Sequence, residues 1–244
     1  MIDVDLPLGI LGSFGGAFDF ILHQQHSSVT GGQLVGGPAQ VWELTRAQLE
    51  VSGLALAMSI ALALPGGVWL GHKGRGEFFA VAFGNAGRAL PELAIVALLA
   101  AVIGVGLGNV AIALMILGVP PILTNSYVGV RQVDRDAVDA ARGMGMSELG
   151  IVLRVELPLA VPTIMSGVRT AAINILATAT IASLVGFSDL GDFIFERNVY
   201  GSEGVLAGAI CVALLALVVE LALAGVQRVL TPRGLRLQRA GKPA

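Results

Sequence analysis

Five stretches of this chain are each about 20 mainly apolar residues long, and nothing else in the sequence limits its fold as tightly. Crossing ~30 Å of hydrocarbon at ~1.5 Å per residue takes about 20 residues of helix. The stretches are 51–71 (VSGLALAMSIALALPGGVWLG), 78–104, 109–130, 160–186 and 205–227. Charged residues make up only 13% of the chain and hydrophobic ones 55%. Soluble domains carry roughly 25% charged residues, so a water-exposed surface of this size could not be covered. The expected fold class is all-α, a polytopic membrane protein with about five transmembrane helices.

The flanks divide as 1–50, an extracytoplasmic or interfacial segment, 51–230, the membrane domain, and 231–244, a cytoplasmic tail. No cleaved signal peptide is expected, because Asp3 and Asp5 stand where a basic region belongs and no basic residue precedes Arg46. Residues 8–22 are apolar but short and glycine-rich, which reads as an interfacial or re-entrant helix rather than a sixth span. Residues 27–40 read as a polar, flexible connection and 41–50 as a segment along the membrane surface.

Eleven of the 15 Lys and Arg residues fall after the first span, between the third and fourth, or after the fifth. Only Arg46 and Arg197 fall on the other side, and Arg88 and Arg169 lie within spans. The positive-inside rule then places the N-terminus outside, the C-terminus in the cytoplasm, and 131–158 as the largest cytoplasmic connection. A net charge of −2 argues against nucleic acid, and the single cysteine, Cys211, allows neither a disulfide framework nor a zinc-type spacing. No metal site is expected.

The connection reads RQVDRDAVDAARGMGMSELGIVLRVELP. Asp134 or Asp136 can cap a short helix running through Gly143. Gly145 can take positive φ and break the chain. Ser147 can cap a second helix with Glu148 in its first turn, and Leu149, Val152 and Leu153 recur on one face, extended by Val155 and Leu157. Pro158 is expected to end that piece and open the next helix. By pattern alone this is either an amphipathic loop resting on the bilayer or an element that inserts into a groove on a soluble partner.

The spacing separates the two. Asp139-Ala140-Ala141, three residues, Gly145, nine residues, Val155, one residue, Leu157-Pro158 resembles the EAA signature of ABC importer permeases, with Asp139 for Glu and Val155 for Ile. Further stretches resemble that family: Asn85 to Glu92 in the second span, Pro120 to Asn125 at the end of the third, and Gly186 to Gly191 after the fourth. Together they are similar to permeases for compatible solutes such as glycine betaine, carnitine and choline, with methionine-type permeases as the nearest competitor.

The resemblance implies a short helical cytoplasmic coupling loop in a multi-pass protein of the bacterial cell (inner) membrane. Asp139, Ala140, Ala141, Gly145, Val155, Leu157 and Pro158 would form the contact with ABC ATPase subunits. It also implies an external solute-binding protein and a second permease subunit, identical or homologous. No catalytic residue is implied. No Gly-rich loop with a following Gly-Lys-Ser/Thr is present, so ATP belongs to another chain and no cofactor is expected here. The Gly104–Gly108 run reads as an external turn.

Ionisable groups at membrane depth are costly and are functional candidates by default. Arg88 and Glu92 are four apart and can pair on one helix face, and Pro91 between them can kink the helix. The candidate translocation path is Arg88, Pro91, Glu92, Asn125, Asn174 and Phe187. Arg169 and Glu220 read as structural or facing the subunit interior. Asn125, Asn174, Thr178 and Thr180 suit helix–helix hydrogen bonds equally. Phe187 and Phe193 are the aromatic candidates for a quaternary ammonium. An intramembrane protease would need Ser and His, or paired Asp, at membrane depth, and His23, His26 and His72 all read as outside the spans. A secondary transporter would show repeated halves, which five spans do not divide into.

Overall fold

A computed structural model describes residues 6–74, 82 and 91–232 of the protein. Four of its helices are long and apolar enough to cross a membrane. In chain order the elements are α1 (Leu6–Leu22), β1 (Gln24–His26), β2 (Leu34–Gly36), α2 (Gly37–Lys73), α3 (Glu92–Ile103), α4 (Leu107–Arg131), α5 (Arg135–Gly143) and α6 (Glu148–Ile151). A π-helical turn (Val152–Glu156) leads into α7 (Leu157–Ala179), then come a 3₁₀ turn (Thr180–Val185), α8 (Gly191–Phe195) and α9 (Arg197–Leu230).

The first, third, fourth and fifth expected spans are α2, α4, α7 and α9. Of the second, only 82 and 91–104 lie within the described residues. Pro91 there does not kink a helix. It is extended (φ −68°, ψ 117°) and stands just before α3, which starts at Glu92. A proline disfavours helix in the residue before it and is well placed at a helix entry.

α4 lies between α2 and α7, and these contacts build the centre of the fold. Lipid tails are as apolar as Leu, so burial alone does not drive helices together in a bilayer, and small residues that allow close approach do much of the work. A Cβ on Gly67 of α2 would lie 2.6 Å from the Leu123 carbonyl oxygen of α4. One on Gly167 of α7 would lie 2.5 Å from the Asn125 Cβ and 2.7 Å from the Pro121 carbonyl oxygen. Ile122, Ala63, Val168 and Ala171 fill the mid-depth interface. α9 packs on α7, α1 and α8, and presents Leu214, Leu217, Val218 and Leu221 outward, as a lipid-facing helix would.

Two expectations for the N-terminal part are corrected. Residues 41–50 do not lie apart along a surface; α2 is one continuous helix of 37 residues. Leu44, Gln48, Val51 and Ala55 are buried along it at helical spacing, and no Gly or Pro falls between 39 and 52 to interrupt it. Nor is 27–40 a loose linker. β1 and β2 form an antiparallel hairpin with Gln25 opposite Val35. The Ser27 hydroxyl accepts from the backbone N–H of Val29 and Thr30 and donates to the Val199 carbonyl at 2.6 Å. Gln25 reaches Glu203, and Gln40 reaches the Tyr200 hydroxyl, so the hairpin is pinned to α9. Beneath it Phe20, Phe193 and Tyr200 stack edge to face, with centroids 4.9–6.3 Å apart.

The close approach at Gly167 is directly testable. Gly167→Val forces α7 away from backbone that cannot yield, at a cost of about 1–3 kcal/mol or more. It is expected to reduce monodisperse protein in detergent by size-exclusion fluorescence. Gly53→Ala, with nothing within 4 Å of the added carbon, is expected to leave it unchanged.

Candidate functional site: the loop between α4 and α7 and the polar face of α7

Asp134 caps α5 by accepting from the Asp136 backbone N–H at 3.0 Å. At the far end Gly145 N–H donates to the Arg142 carbonyl and Met146 N–H to the Ala141 carbonyl, with Gly145 at φ 82°. This is a Schellman close, in which a left-handed glycine satisfies the last carbonyls of the helix. Ser147 then caps α6 by accepting from Gly150 N–H. The break at Gly145 and the start at Ser147 are where the sequence places them.

Pro158 behaves differently from expectation. It does not end a helix, because the chain is helical from Glu148 through Ala179. The Leu157 N–H bonds back to the Val152 carbonyl, five residues away. That wider turn moves carbonyls out of the way of the Pro158 ring, so the proline is accommodated rather than terminating. The extra residue also rotates the face. Val152 turns inward with Ile151, while Leu149 and Leu153 are 67% and 54% exposed.

The signature residues separate by role. Ala141 is buried with Val138 against Val68, Val130, Val133, Ile151 and Val152 of the protein's own interior. Ala140 is exposed. Asp139 is exposed and bonded to Arg142 at 2.8 Å, and Arg142 also grips Glu148 with two bonds of 2.9 and 3.1 Å. Val155 and Leu157 pack against the same interior cluster. What is left outward is an apolar patch of Ala140, Met144 (77% exposed), Leu149 and Leu153, rimmed by this charge ladder.

Behind the ladder sits His72, at the end of α2 and only 5% exposed. Its Nδ1 lies 2.7 Å from Glu156 Oε2 and its Nε2 3.1 Å from Glu148 Oε2. Glu156 is fully buried. The sequence reading placed His72 simply outside the spans. A histidine one turn from the end of a long helix, with two glutamates in the facing loop, is the signal that was present.

α7 carries a second polar surface. Ser166, Thr170 and Asn174 recur every four residues on its exposed face. With Arg169, Ile173 and Glu220 they line a cleft of about 360 Å³. Arg169 pairs with Glu220 and donates to Gln227 at 2.7 Å, and Gln227 in turn donates to the Pro162 carbonyl. So Asn174 of the candidate path is in an open cleft, beside the Arg169–Glu220 pair that the sequence reads as structural or facing the subunit interior.

The other candidates are not gathered there. Glu92 accepts from the Thr178 hydroxyl at 2.7 Å. Asn125 donates to the Pro121 carbonyl of its own helix and packs on Gly167. Thr180 donates to the Ala177 carbonyl. Phe187 is half-buried against the apolar cluster around Val96 and Leu114. Phe193 is fully buried among Phe20 and Tyr200 and has no free face. Arg88, and with it the expected pair with Glu92, lies outside the described residues.

At the hairpin end two carboxylates are buried that sequence did not single out. Asp189 Oδ1 accepts from Gly191 N–H at 2.7 Å, while Oδ2 has no hydrogen-bond partner. Burial raises its pKa to about 7, against the pull of that hydrogen bond. Burial likewise raises Asp192 to about 6, opposed by a hydrogen bond from Ser188.

A bundle of long apolar helices with a capped, ladder-braced helix pair at one end is the architecture of a polytopic membrane protein. The family model for the binding-protein-dependent transport system inner membrane component matches residues 63–233, and the chain belongs to that family. It is a permease subunit of an ABC transporter and not itself an enzyme. The chain is 39% identical to the carnitine transport permease protein OpuCB of Listeria monocytogenes over 83% of its own length and 91% of that relative. It is 37% identical to the glycine betaine/carnitine/choline permease protein OpuCB of Bacillus subtilis, covering 79% and 89% of the two chains. In fold it resembles the inward-facing MetNI methionine ABC transporter, with a TM-score of 0.67 at 19% identity over 80% of this chain and 100% of that one.

The Asp189 turn generates a pH prediction. Its folded pKa is above the unfolded value, so the native state holds a proton that the unfolded chain has already lost between about pH 4 and pH 7. Its contribution is fully present below about pH 4 and is lost as pH rises through about 7, by up to roughly 4 kcal/mol. Thermal unfolding in detergent is expected to show lower stability at about pH 8 than at about pH 5, and Asp189→Asn is expected to flatten that difference.

Proposed function

We propose that this permease subunit imports a compatible solute of the quaternary-amine type, such as glycine betaine, carnitine or choline, and that residues 134–157 receive the ATPase stroke. The observation that carries the docking role is the outward patch of Ala140, Met144, Leu149 and Leu153 on a braced helix pair beyond the membrane helices. Its rim carries Asp136, Asp139 and Glu148 beside Arg142, a mix of charge that suits a protein groove better than an anionic lipid surface. Solute class rests on the relatives, which are named for carnitine, glycine betaine and choline transport. The distribution of basic residues supports an orientation with the loop and the C-terminus in the cytoplasm and the N-terminus outside.

In this reading an external binding protein delivers solute at the hairpin end, a second permease subunit completes the enclosure, and ATPase subunits close against the loop. Lipid does not tolerate an open row of polar side chains, so the Ser166–Thr170–Asn174 face borders a water-filled path. The Arg169–Glu220 pair lies beside it. Movement of the loop swings α7 directly, because the helix is continuous from Glu148, and access alternates between two states of the bundle.

Four outcomes check this. Leu149→Glu combined with Met144→Glu is expected to insert normally yet lose at least about tenfold in ATPase co-purification, the scale of a hot-spot loss. Ala141→Leu, which faces the subunit's own interior, is expected to lower folded yield instead. In a Cys211→Ser background, cysteines at Thr170 or Asn174 are expected to react with charged thiol reagents, while one at Leu217 is not. Uptake with a solute panel should show quaternary amines carried only with binding protein and ATP; methionine uptake in their place would overturn the solute class.

A further inference from the structure

Arg169 of α7 and Glu220 of α9 meet in the cleft with side chains 31% and 30% exposed. Only one nitrogen of the guanidinium makes the contact. Nη2 donates to Glu220 Oε1, while Nη1 donates to Gln227 Oε1 at 2.7 Å. Arg169 Nε and Glu220 Oε2 are enclosed yet have no hydrogen-bond partner. An Arg–carboxylate contact that locks two helices commonly uses two nitrogens and both carboxylate oxygens. Here half of that fork is idle, and an enclosed donor or acceptor without a partner costs free energy. The tie between α7 and α9 does not need the pair, because Gln227 holds both Arg169 and the Pro162 carbonyl.

The rest of the lining suits a small polar solute. Ser166, Thr170 and Asn174 supply hydroxyl and amide groups, and Ile173 supplies an apolar wall. A volume of about 360 Å³ lies at the small end of ligand pockets, which run from about 300 to 1,000 Å³. Glu220 sits about 15 Å along α9 from its end at Leu230, near the middle of ~30 Å of hydrocarbon. Among the described residues no aromatic lines the cleft, so a cation–π cage is not what it offers. It offers one positive and one negative charge side by side.

We propose that this cleft is a subsite for a small zwitterion, bound by exchange of the Arg169–Glu220 pair. This rests on the path reading given above and narrows a water-facing wall to a point of recognition. The solute carboxylate takes the Nε–Nη2 edge of Arg169 as a two-bond fork, which satisfies the idle Nε. Glu220, released, turns its charge to the solute ammonium. A quaternary ammonium has no N–H to donate, so that half of the recognition is charge alone. One ion pair becomes two, and no charge is left alone at membrane depth. A lone cation would leave Arg169 without its carboxylate, and a lone anion would leave Glu220 without its guanidinium. The empty site closes on itself, so the solute is held only as far as it outcompetes the internal pair, which favours release as well as entry.

Solute protection of a reporter thiol tests this in the assembled transporter without the external binding protein, whose own selectivity then does not enter. In a Cys211→Ser background, Ser166→Cys at the exposed rim is labelled with neutral N-ethylmaleimide against rising glycine betaine, choline or acetate. Glycine betaine and choline share the trimethylammonium group, and only the first has a carboxylate; acetate has the carboxylate alone. With Arg169 and Glu220 intact, glycine betaine is expected to slow labelling at lower concentration than either of the others. Arg169→Gln is expected to raise the glycine betaine concentration for half protection by about tenfold or more, the scale of one charge-assisted hydrogen bond, and not to raise that for choline. Glu220→Gln is expected to weaken protection by choline and strengthen protection by acetate.

A pair that only holds two helices together would change protection by the three solutes in parallel or not at all. Either result overturns the inference, as does a reporter that glycine betaine leaves unprotected with both charges in place. If Arg169→Gln does not fold, Glu220→Gln carries the test alone, because choline and acetate must move in opposite directions. Uptake separates this inference from the reading beneath it. Quaternary-amine uptake with an unprotected reporter removes the subsite and leaves the proposed function standing. Protection by glycine betaine without ATP-driven uptake of any quaternary amine removes the proposed function and leaves the subsite.

Discussion

The close seating of α4 between α2 and α7 is the interaction on which the rest of the structure depends. In a bilayer the helices gain little from hiding apolar surface, so they hold together where backbones can come near and many small contacts add up. Gly67 and Gly167 permit that approach on the two sides of α4. Once these three helices are fixed, both ends of the bundle are positioned. At one end Val68, Val130, Ala160 and Ile164 form the floor on which α5 and α6 rest. At the other, Val51, Val110, Leu114 and Ile175 form the base beneath the outer turns.

Polar groups follow a consistent economy within this frame. Several of those deep in the bundle are satisfied in pairs or by backbone carbonyls: Gln48 donates to Leu176, Ser59 donates to Ala55, and Thr178 donates to Glu92, whereas the buried hydroxyls of Ser52 and Ser126 have no hydrogen-bond partner. Those at the loop end form a connected ladder from Asp139 through Arg142, Glu148 and His72 to Glu156. Individual exposed members of such a ladder contribute little to stability. Their collective effect is geometric, because they join three separate pieces of chain: the end of α2, the α5–α6 pair and the π turn.

The class of fold and the break in the loop were legible in the sequence because both are local. Span length follows from bilayer thickness, and Gly145 and Ser147 act through their own backbone conformation and side chain. The course of 148–158 was not legible. A proline reads as a helix end, and only the three-dimensional path shows a π turn that carries the helix past Pro158 and turns Val152 inward. The same limit applies to the alanines of the signature. Ala140 and Ala141 are adjacent, with identical propensity and hydrophobicity, yet the phase of α5 exposes one and buries the other. Asn125 and Phe187 were attractive as path residues by chemical type alone. Their neighbours assign them to packing, while Asn174, of the same type as Asn125, falls in the cleft.

By itself the sequence determined that the chain crosses a membrane several times, where its loop breaks, and the family to which it belongs. These follow from length and fixed local spacing, neither of which requires knowing what lies across the bundle. Tertiary structure alone decided that His72 meets Glu148 and Glu156 across 76 and 84 residues of chain, that Arg169 pairs with Glu220, and which faces of α5, α6 and α7 remain open. Such contacts depend on the relative rotation and depth of helices, and those are set by packing over many residues rather than by any one of them.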